Sequence, residues 1–453
     1  MTNQKEKVSK ARLVAFELLE QWRAGEVFAD ALLERAVSRR GLSAEDRALA
    51  QELFYGVFRR KLYLDHLIDA FARQGRRSLP EAVQDILRLS LYQLLYLTQV
   101  PDYAVIDEAC RLCRSRVSES LVRVVNGVLR QAQRRREQLP EIPGPGGSAG
   151  YLSIKYSLPK WIVREFLDQF GFEETERLGQ WAVSRPPLTL RVNLRRTTRQ
   201  QLLEKLIEAG IEAHLHPDCA TAVGVDSKGS LSQLPGYQEG LWLVQDASAQ
   251  RVAPLLDVQP GDRVWDPCAA PGGKSLQVLE PLGQAGRLWV SDLSRRRLRP
   301  LVDNWRRLSD RPMLVWAGDL LNPPLCRDVV FDWILLDVPC SGLGVLSRRV
   351  DLRYRIKPKD IDRLADLQLG LLRQAAARLR AGGGIVYSTC TLMEKENRQV
   401  VERFLAECRD FRREPVDAKG DLLILPRTGV RDGVFAARLR KVAPGSLEQK
   451  RLD

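Results

Sequence analysis

The chain reads as a multidomain protein: an all-α N-terminal domain, a small α+β subdomain and a larger C-terminal α/β domain. Three observations carry this. Apolar residues recur every three or four positions from Lys10 to about Arg136. A stretch dense in Pro and Gly, Leu139 to Ser148, then breaks the pattern as a linker would. From about Gly240 onward, short apolar runs alternate with helical segments. At 453 residues, about two to four domains are expected, and their bounds read as 1–140, 150–239 and 240–445.

In the first domain, Leu13, Phe16, Leu18 and Leu19 set the helical period. Ser43-Ala44-Glu45-Asp46 and Pro80 mark helix starts, and Leu87 to Leu97 reads as a mostly buried helix. In the second, Leu188 to Asn193 reads as a strand, Thr198 to Ala209 as an amphipathic helix ended by Gly210, and Ile211 to Leu215 as a further strand. In the third, the strands are 263–266, 287–290, 313–316, 333–336 and 384–388. Apolar strands separated by helices predict a doubly wound sheet with its ligand at the strands' carboxyl ends.

Hydrophobic residues make up 44% of the chain, and no apolar run approaches the roughly 20 residues of a membrane span. The start, Met1 to Lys5, has no apolar signal core, so a cytoplasmic protein that is not held in a membrane is expected. Eight cysteines at irregular spacings do not make a disulfide scaffold. Cys110 and Cys113 form a CxxC without a second pair and read as helix packing. With only His66, His214 and His216 besides, no metal site is expected. The net charge of +14 points to a polyanion, most simply nucleic acid.

The loop Asp266-Pro267-Cys268-Ala269-Ala270-Pro271-Gly272-Gly273-Lys274-Ser275 joins the first strand to a helix, and its small residues let a ligand approach the backbone. A P-loop would need glycine where Cys268 stands, so the NTPase reading fails. The G-x-G-x-x-G of a dinucleotide enzyme is also missing. Asp292 ends the second strand, where an acid accepts hydrogen bonds from ribose hydroxyls, and Asp319 follows the third, in reach of an adenine amino group. A nucleoside cofactor is the reading that remains.

Asp337-Val338-Pro339-Cys340 and Ser388-Thr389-Cys390-Thr391 end the next two strands. Small buried fillers are the plain reading of two cysteines, but their place beside a cofactor pocket favours chemistry. Two thiols suit one reaction in particular. Carbon 5 of cytosine is too electron-poor to attack a sulfonium methyl, and a thiolate added at carbon 6 makes it nucleophilic. Asp337 would steady the base near N3, and Lys274 would supply positive charge to help a thiol of ordinary pKa near 8.5 ionise.

These motifs resemble the RNA 5-cytosine methyltransferases of the Nop2/Sun type. Within that family the chain is similar to the bacterial small-subunit (16S) ribosomal RNA enzymes with a NusB-like N-terminal domain. Val124 to Arg130 resembles that domain's final helix; Arg191-Val192-Asn193, Val244 to Ala249 and Asp432 to Ala437 are further family-like stretches. The resemblance implies a Rossmann-like methyltransferase domain in which Cys268, Ala269, Ala270, Pro271, Gly272, Gly273, Lys274, Asp292, Asp319 and Asp337 hold S-adenosylmethionine. It implies Cys390 as nucleophile, Cys340 as the aid to product release, and ribosomal RNA, free or in an assembling subunit, as partner of a monomer. DNA cytosine methyltransferases use a Pro-Cys cysteine as nucleophile, which would reverse those roles.

The family often reads Arg-Arg-His-Pro-Asp where this chain has Arg348-Arg349-Val350-Asp351 after Ser347, and aromatic residues where it has Val434 and Ala436. Arg295 to Arg299, Arg306-Arg307 and the run from Arg348 through Lys359 offer phosphate contacts. On this reading Arg348→Ala with Arg349→Ala weakens RNA binding and spares the cofactor. The rivals are a non-catalytic RNA-binding or assembly factor, disfavoured by two cysteines beside a complete cofactor loop, and an enzyme acting on transfer RNA.

Overall fold

Ser43 starts the longest helix because its hydroxyl accepts the Asp46 amide (3.1 Å), satisfying a donor the helix itself leaves free. In a computed structural model, described for residues 8–442 except 40, 228–229, 327 and 419 (37–39 by backbone only), this helix belongs to the first of two units. Met1 to Lys5 and the last three residues of the 240–445 domain lie outside the described residues.

The first unit is all helical. It contains α1 (Lys10–Ala24), α2 (Ala29–Arg39), α3 (Ala44–Phe71), α4 (Glu81–Tyr96), α5 (Asp102–Arg116), α6 (Glu119–Arg134), α7 (Ala149–Tyr156) and α8 (Lys160–Val183). Helix α4 starts after Pro80, as predicted, and is buried from Val83 to Leu94. Arg88 within it is sheltered from water and donates to Asp65 (2.6 Å) and Asp85 (2.7 Å), so the buried cation is paired. Cys113 of α5 lies in the same core.

This unit does not stop at the linker. It runs to Ser184 and takes in a distant piece of chain, Leu346–Arg355. Val350 enters the helical core, and Asp351 accepts the Trp22 indole N–H and the Ala29 amide, each at 2.9 Å. Arg353, fully buried, donates through Nη2 to the carbonyls of Ala182 (2.7 Å) and Leu346 (2.9 Å). Arg355 lies over the Trp22 ring and donates to the carbonyls of Gly25 (2.6 Å), Trp22 (2.8 Å) and Val27 (3.0 Å). The expectation that the basic run from Arg348 is a phosphate-tracking surface therefore needs correcting, because two of its arginines cap their own chain's carbonyls.

The second unit comprises Arg185–Val345 and Ile356–Asp453. Its small sheet has the order β2-β3-β1-β4, from β1 (Leu188–Val192), β2 (Glu212–Leu215), β3 (Ala222–Asp226) and β4 (Trp242–Val244). The helix α9 (Arg199–Glu208) follows β1, and Thr198 and Gln201 close a capping box at its start. The last strand, β4, lies past the expected bound of 239 because Leu190 to Val192 pair with it.

The large sheet contains β5 (Arg263–Asp266), β6 (Arg287–Asp292), β7 (Leu314–Ala317), β8 (Phe331–Asp337), β9 (Leu379–Thr389), β10 (Phe411–Glu414), β11 (Leu422–Ile424) and β12 (Val434–Lys441). Its order is β10-β12-β9-β8-β5-β6-β7, with β11 also on β12. The pairs from β9 through β7 are parallel and those to β12 antiparallel. Helices α10 (Gly273–Val278), α11 (Arg295–Leu308), α13 (Pro358–Ala376) and α14 (Arg398–Glu407) connect the strands, with the short α12 (Leu352–Arg355) in the excursion to the first unit. Apolar cores cover this sheet, as parallel strands require. Among the described residues no helix is long and apolar enough to cross a membrane.

Candidate active site

Four strand ends converge the functional side chains. Asp266 ends β5, Asp292 ends β6, Asp337 ends β8, and Cys390 follows β9; Asp337 lies opposite Ser388 in the parallel register.

After β5 the chain turns at Gly272, whose φ of +97° suits glycine, and where a Cβ would stand 2.6 Å from Leu301 Cγ. Cys268, Ala269 and Ala270 lie on this loop, with Ala269 N bound to the Ser291 carbonyl (2.9 Å) and Ala270 N directed at Asp292 (3.3 Å). Burial, with the charges of Asp266 and Asp292, pushes the Cys268 thiol well up, so it stays protonated. Pro271 is exposed, and Gly273 begins α10.

Asp266 is buried, and one of its oxygens accepts the Ser275 hydroxyl (2.6 Å) while Oδ1 has no hydrogen-bond partner among the described residues. Burial, helped by the Asp337 charge and opposed by the Ser275 hydrogen bond, pushes this carboxyl up to about 7. Asp292 is buried and also accepts Ser294 N (2.9 Å). Asp319 is exposed and accepts Leu321 N (2.9 Å); Gly318 N donates to the Asp292 carbonyl (3.1 Å), which brings Asp319 beside the end of β6. A glycine-lined turn, an orphaned buried carboxylate oxygen, two further acids and the exposed Leu293 fit a cationic nucleoside with hydroxyl and amine donors.

The thiol pair is tightly built. Cys340 and Cys390 lie with their sulfurs 3.4 Å apart. The hydrogen bond to Cys390, then burial, pushes the Cys340 thiol well up. Cys340 therefore keeps its proton. Lys274 Nζ meets Asp337 Oδ2 at 2.7 Å, and Ser388 donates to Asp337 Oδ1 at 2.7 Å. Burial opposes the charge on Lys274, but the Asp337 carboxylate outweighs it and the Cys390 charge adds to the rise. All four residues expected to carry the chemistry are therefore together.

Several supporting residues were not foreseen. Buried Glu396 accepts Ser341 N (2.8 Å) and Gln368 Nε2 (2.9 Å), fixing the loop that carries Cys340. Gly344 donates its N–H to the Cys390 carbonyl (2.9 Å), and a Cβ there would lie 2.8 Å from that oxygen. Arg191 of β1 is buried and donates to Gln245 (2.6 Å) and to the Gly273 carbonyl, bracing the cofactor loop from the small subdomain. The Arg-Val-Asn stretch was the one sequence signal for it.

Parallel strands of this order, with a glycine turn after β5 and acids at the following strand ends, belong to the S-adenosylmethionine-dependent methyltransferases. Residues 253–440 match the family described as 16S rRNA methyltransferase RsmB/F, residues 9–134 the NusB family, and residues 158–232 a ferredoxin-like domain of RsmF/B-like methyltransferases. The chain is 38% identical over 444 residues to a probable ribosomal RNA small subunit methyltransferase B of Synechocystis, covering 95% of this chain and 99% of that one. Its identity to the probable enzyme of the same name from Bacillus subtilis is 33%, covering 96% and 99%. A solved methyltransferase homologue from Pyrococcus horikoshii aligns with a TM-score of 0.58 at 26% identity, over 66% of this chain and 100% of that one. NSun6 from the same organism, at 22% identity over 63% and 98%, shares the fold with a TM-score of 0.56. The chain belongs to the RsmB/F family of 16S ribosomal RNA methyltransferases, and S-adenosylmethionine is its cofactor.

Proposed function

We propose that the protein methylates carbon 5 of a cytosine in small-subunit ribosomal RNA through a covalent bond from Cys390 to carbon 6. The observation that carries this is the pair of sulfurs 3.4 Å apart beside the Lys274–Asp337 ion pair. The relatives named for the small-subunit RNA supply the substrate class. Residues 1–140 are assigned to binding or assembly and 240–445 to chemistry, in a monomer acting on free RNA or an assembling subunit.

Cys390 reacts as thiolate, with Cys340 keeping its own proton and Lys274 adding positive charge. Addition to carbon 6 moves an electron pair to carbon 5, and Asp337 and Lys274 steady the base while it carries the added density. S-adenosylmethionine supplies the methyl group when bound. Once Cys390 is a thioether it no longer holds charge against Cys340, so the chief cause of the raised Cys340 pKa disappears. Cys340 then gives its proton to water and, as thiolate, takes the one from carbon 5; the C5–H electron pair re-forms the 5,6 double bond as Cys390 leaves carbon 6 as thiolate.

Labelled S-adenosylmethionine and unmodified small-subunit RNA test this. Wild type should yield labelled 5-methylcytosine, Cys390→Ala none, and Cys340→Ala a stable protein–RNA adduct. An adduct from Cys390→Ala and none from Cys340→Ala would reverse the two roles. Label at any atom other than carbon 5 would end the reading.

A further inference from the structure

The edge strand β7 and helix α11 enclose an open groove of about 760 Å³ in the second unit. Arg295, Arg299 and Arg306 form one wall, spaced as one face of the helix. Val315 faces them from the strand, and Asp303 is the acid among the lining residues. Trp316 turns to the opposite face of the sheet, where it packs on Trp265 (ring centroids 6.2 Å apart, stacked) and Trp289 (6.0 Å, edge-on), so only its backbone borders the groove.

The three arginines are exposed and have no hydrogen bond or ion pair among the described residues. Their neighbours differ. Arg297 pairs with Asp292 (3.6 Å), and Arg307 donates to the carbonyls of Tyr237 (2.8 Å) and Trp242 (2.9 Å). The free set is also arranged against the helix's own interest. The first turn of α11 holds only basic charge, at the positive pole of the helix dipole, and Arg295 faces Arg299 at like-charge i,i+4 spacing. Both features cost stability, and an anion in the groove offsets both. Val315 is exposed on the sheet's last strand, which adds apolar surface beside that charge.

We propose that this groove carries an unpaired strand of the substrate RNA, flanking the target cytosine. Phosphates lie along Arg295, Arg299 and Arg306, and Val315 gives the strand an apolar contact. A positively charged groove that tracks the backbone holds a strand without reading its sequence. The target cytosine must itself be unpaired to expose carbon 6. The groove opens at the same sheet end as the thiols, with Ala317 level with Asp292, and β7 stands three strand spacings from β8, roughly 14 Å. This rests on RNA being the substrate.

The full chain carrying Arg295→Gln, Arg299→Gln and Arg306→Gln tests the groove by titration with small-subunit RNA across salt concentrations. Affinity should fall about tenfold or more near physiological salt, and the log–log salt slope should become shallower by about two, as for three lost contacts to a single strand. Cofactor affinity should hold. A second variant, Arg295→Glu with Arg299→Glu, should bind RNA still more weakly while melting no lower than wild type, since acids suit a helix's first turn. Unchanged affinity and slope overturn the proposal, as does a loss seen only with protein-containing subunit particles, which would assign the groove to a ribosomal protein. Wild type that fails to bind the RNA would sink the substrate reading and the groove with it. Failure of the cysteine experiments alone would leave the groove standing.

Discussion

Two arginine-rich segments of this chain have similar composition and opposite fates. From 348 to 355 two of the four arginines turn inward: Arg353 and Arg355 cap carbonyls of the helical unit, and Asp351 is capped in return. From 295 to 306 the three arginines that line the groove face solvent with no partner among the described residues. The lesson is one of accounting. A charge count cannot distinguish a cation already satisfied by its own backbone from one left over for another molecule. The same rule picks out Asp266, whose unpartnered oxygen sits in the cofactor loop. Groups left over mark where something else binds.

The comparison breaks most directly at Arg353. Arg353→Ala strips the Ala182 and Leu346 carbonyls of their donor inside the helical unit, and should cost about 3 kcal/mol in denaturant unfolding. A cost under about 1 kcal/mol would mean these bonds are ornamental. Asp266→Asn comes next. With its carboxyl pushed up to about 7 in the folded protein and near 4 when unfolded, the native state holds the extra proton between those values. Wild-type stability without cofactor should therefore fall as pH rises from about 4 to 7 and level off above. The asparagine variant lacks that decline, so it should gain on wild type by on the order of 2 kcal/mol between pH 5 and pH 8. An unchanged difference at the two pH values would contradict the raised carboxyl. The smallest effect belongs to Arg348→Ala with Arg349→Ala, where RNA affinity should shift by about twofold, well short of the α11 triple variant. A shift as large as that of the triple variant would erase the contrast between the segments.

Much of the site was legible in advance because its signals are local. The apolar runs ending in Asp266, Asp292 and Asp337 could only be buried parallel strands, so the acids had to meet at one end of the sheet. The two cysteines followed by the same logic. Glu396, Gln368 and Arg191 were not legible, because each works through partners 28 to 82 residues away and looks like any surface polar residue in a linear reading. The antiparallel strands β10 to β12 were missed for a different reason. Of these, β10 is mostly charged (Phe411-Arg412-Arg413-Glu414), β11 has only 3 residues, and β12 follows its apolar opening, Val434 to Ala437, with Arg438 and Arg440. The excursion at 346–355 was read as surface because its arginines bury their charge only against carbonyls far away in sequence.

That excursion also sets an order of events during synthesis. The helical unit ends at Ser184, yet Val350 belongs to its core and Asp351 to its helix caps. About 160 residues must still be added before the missing piece emerges, which at bacterial-type elongation rates is a wait of roughly 8–30 s. Through that interval the Trp22 indole and the Ala29 amide have no Asp351 to bind. The first unit to be made is therefore among the last to be finished, and a chain cut anywhere before residue 346 carries a helical domain with its lock left open.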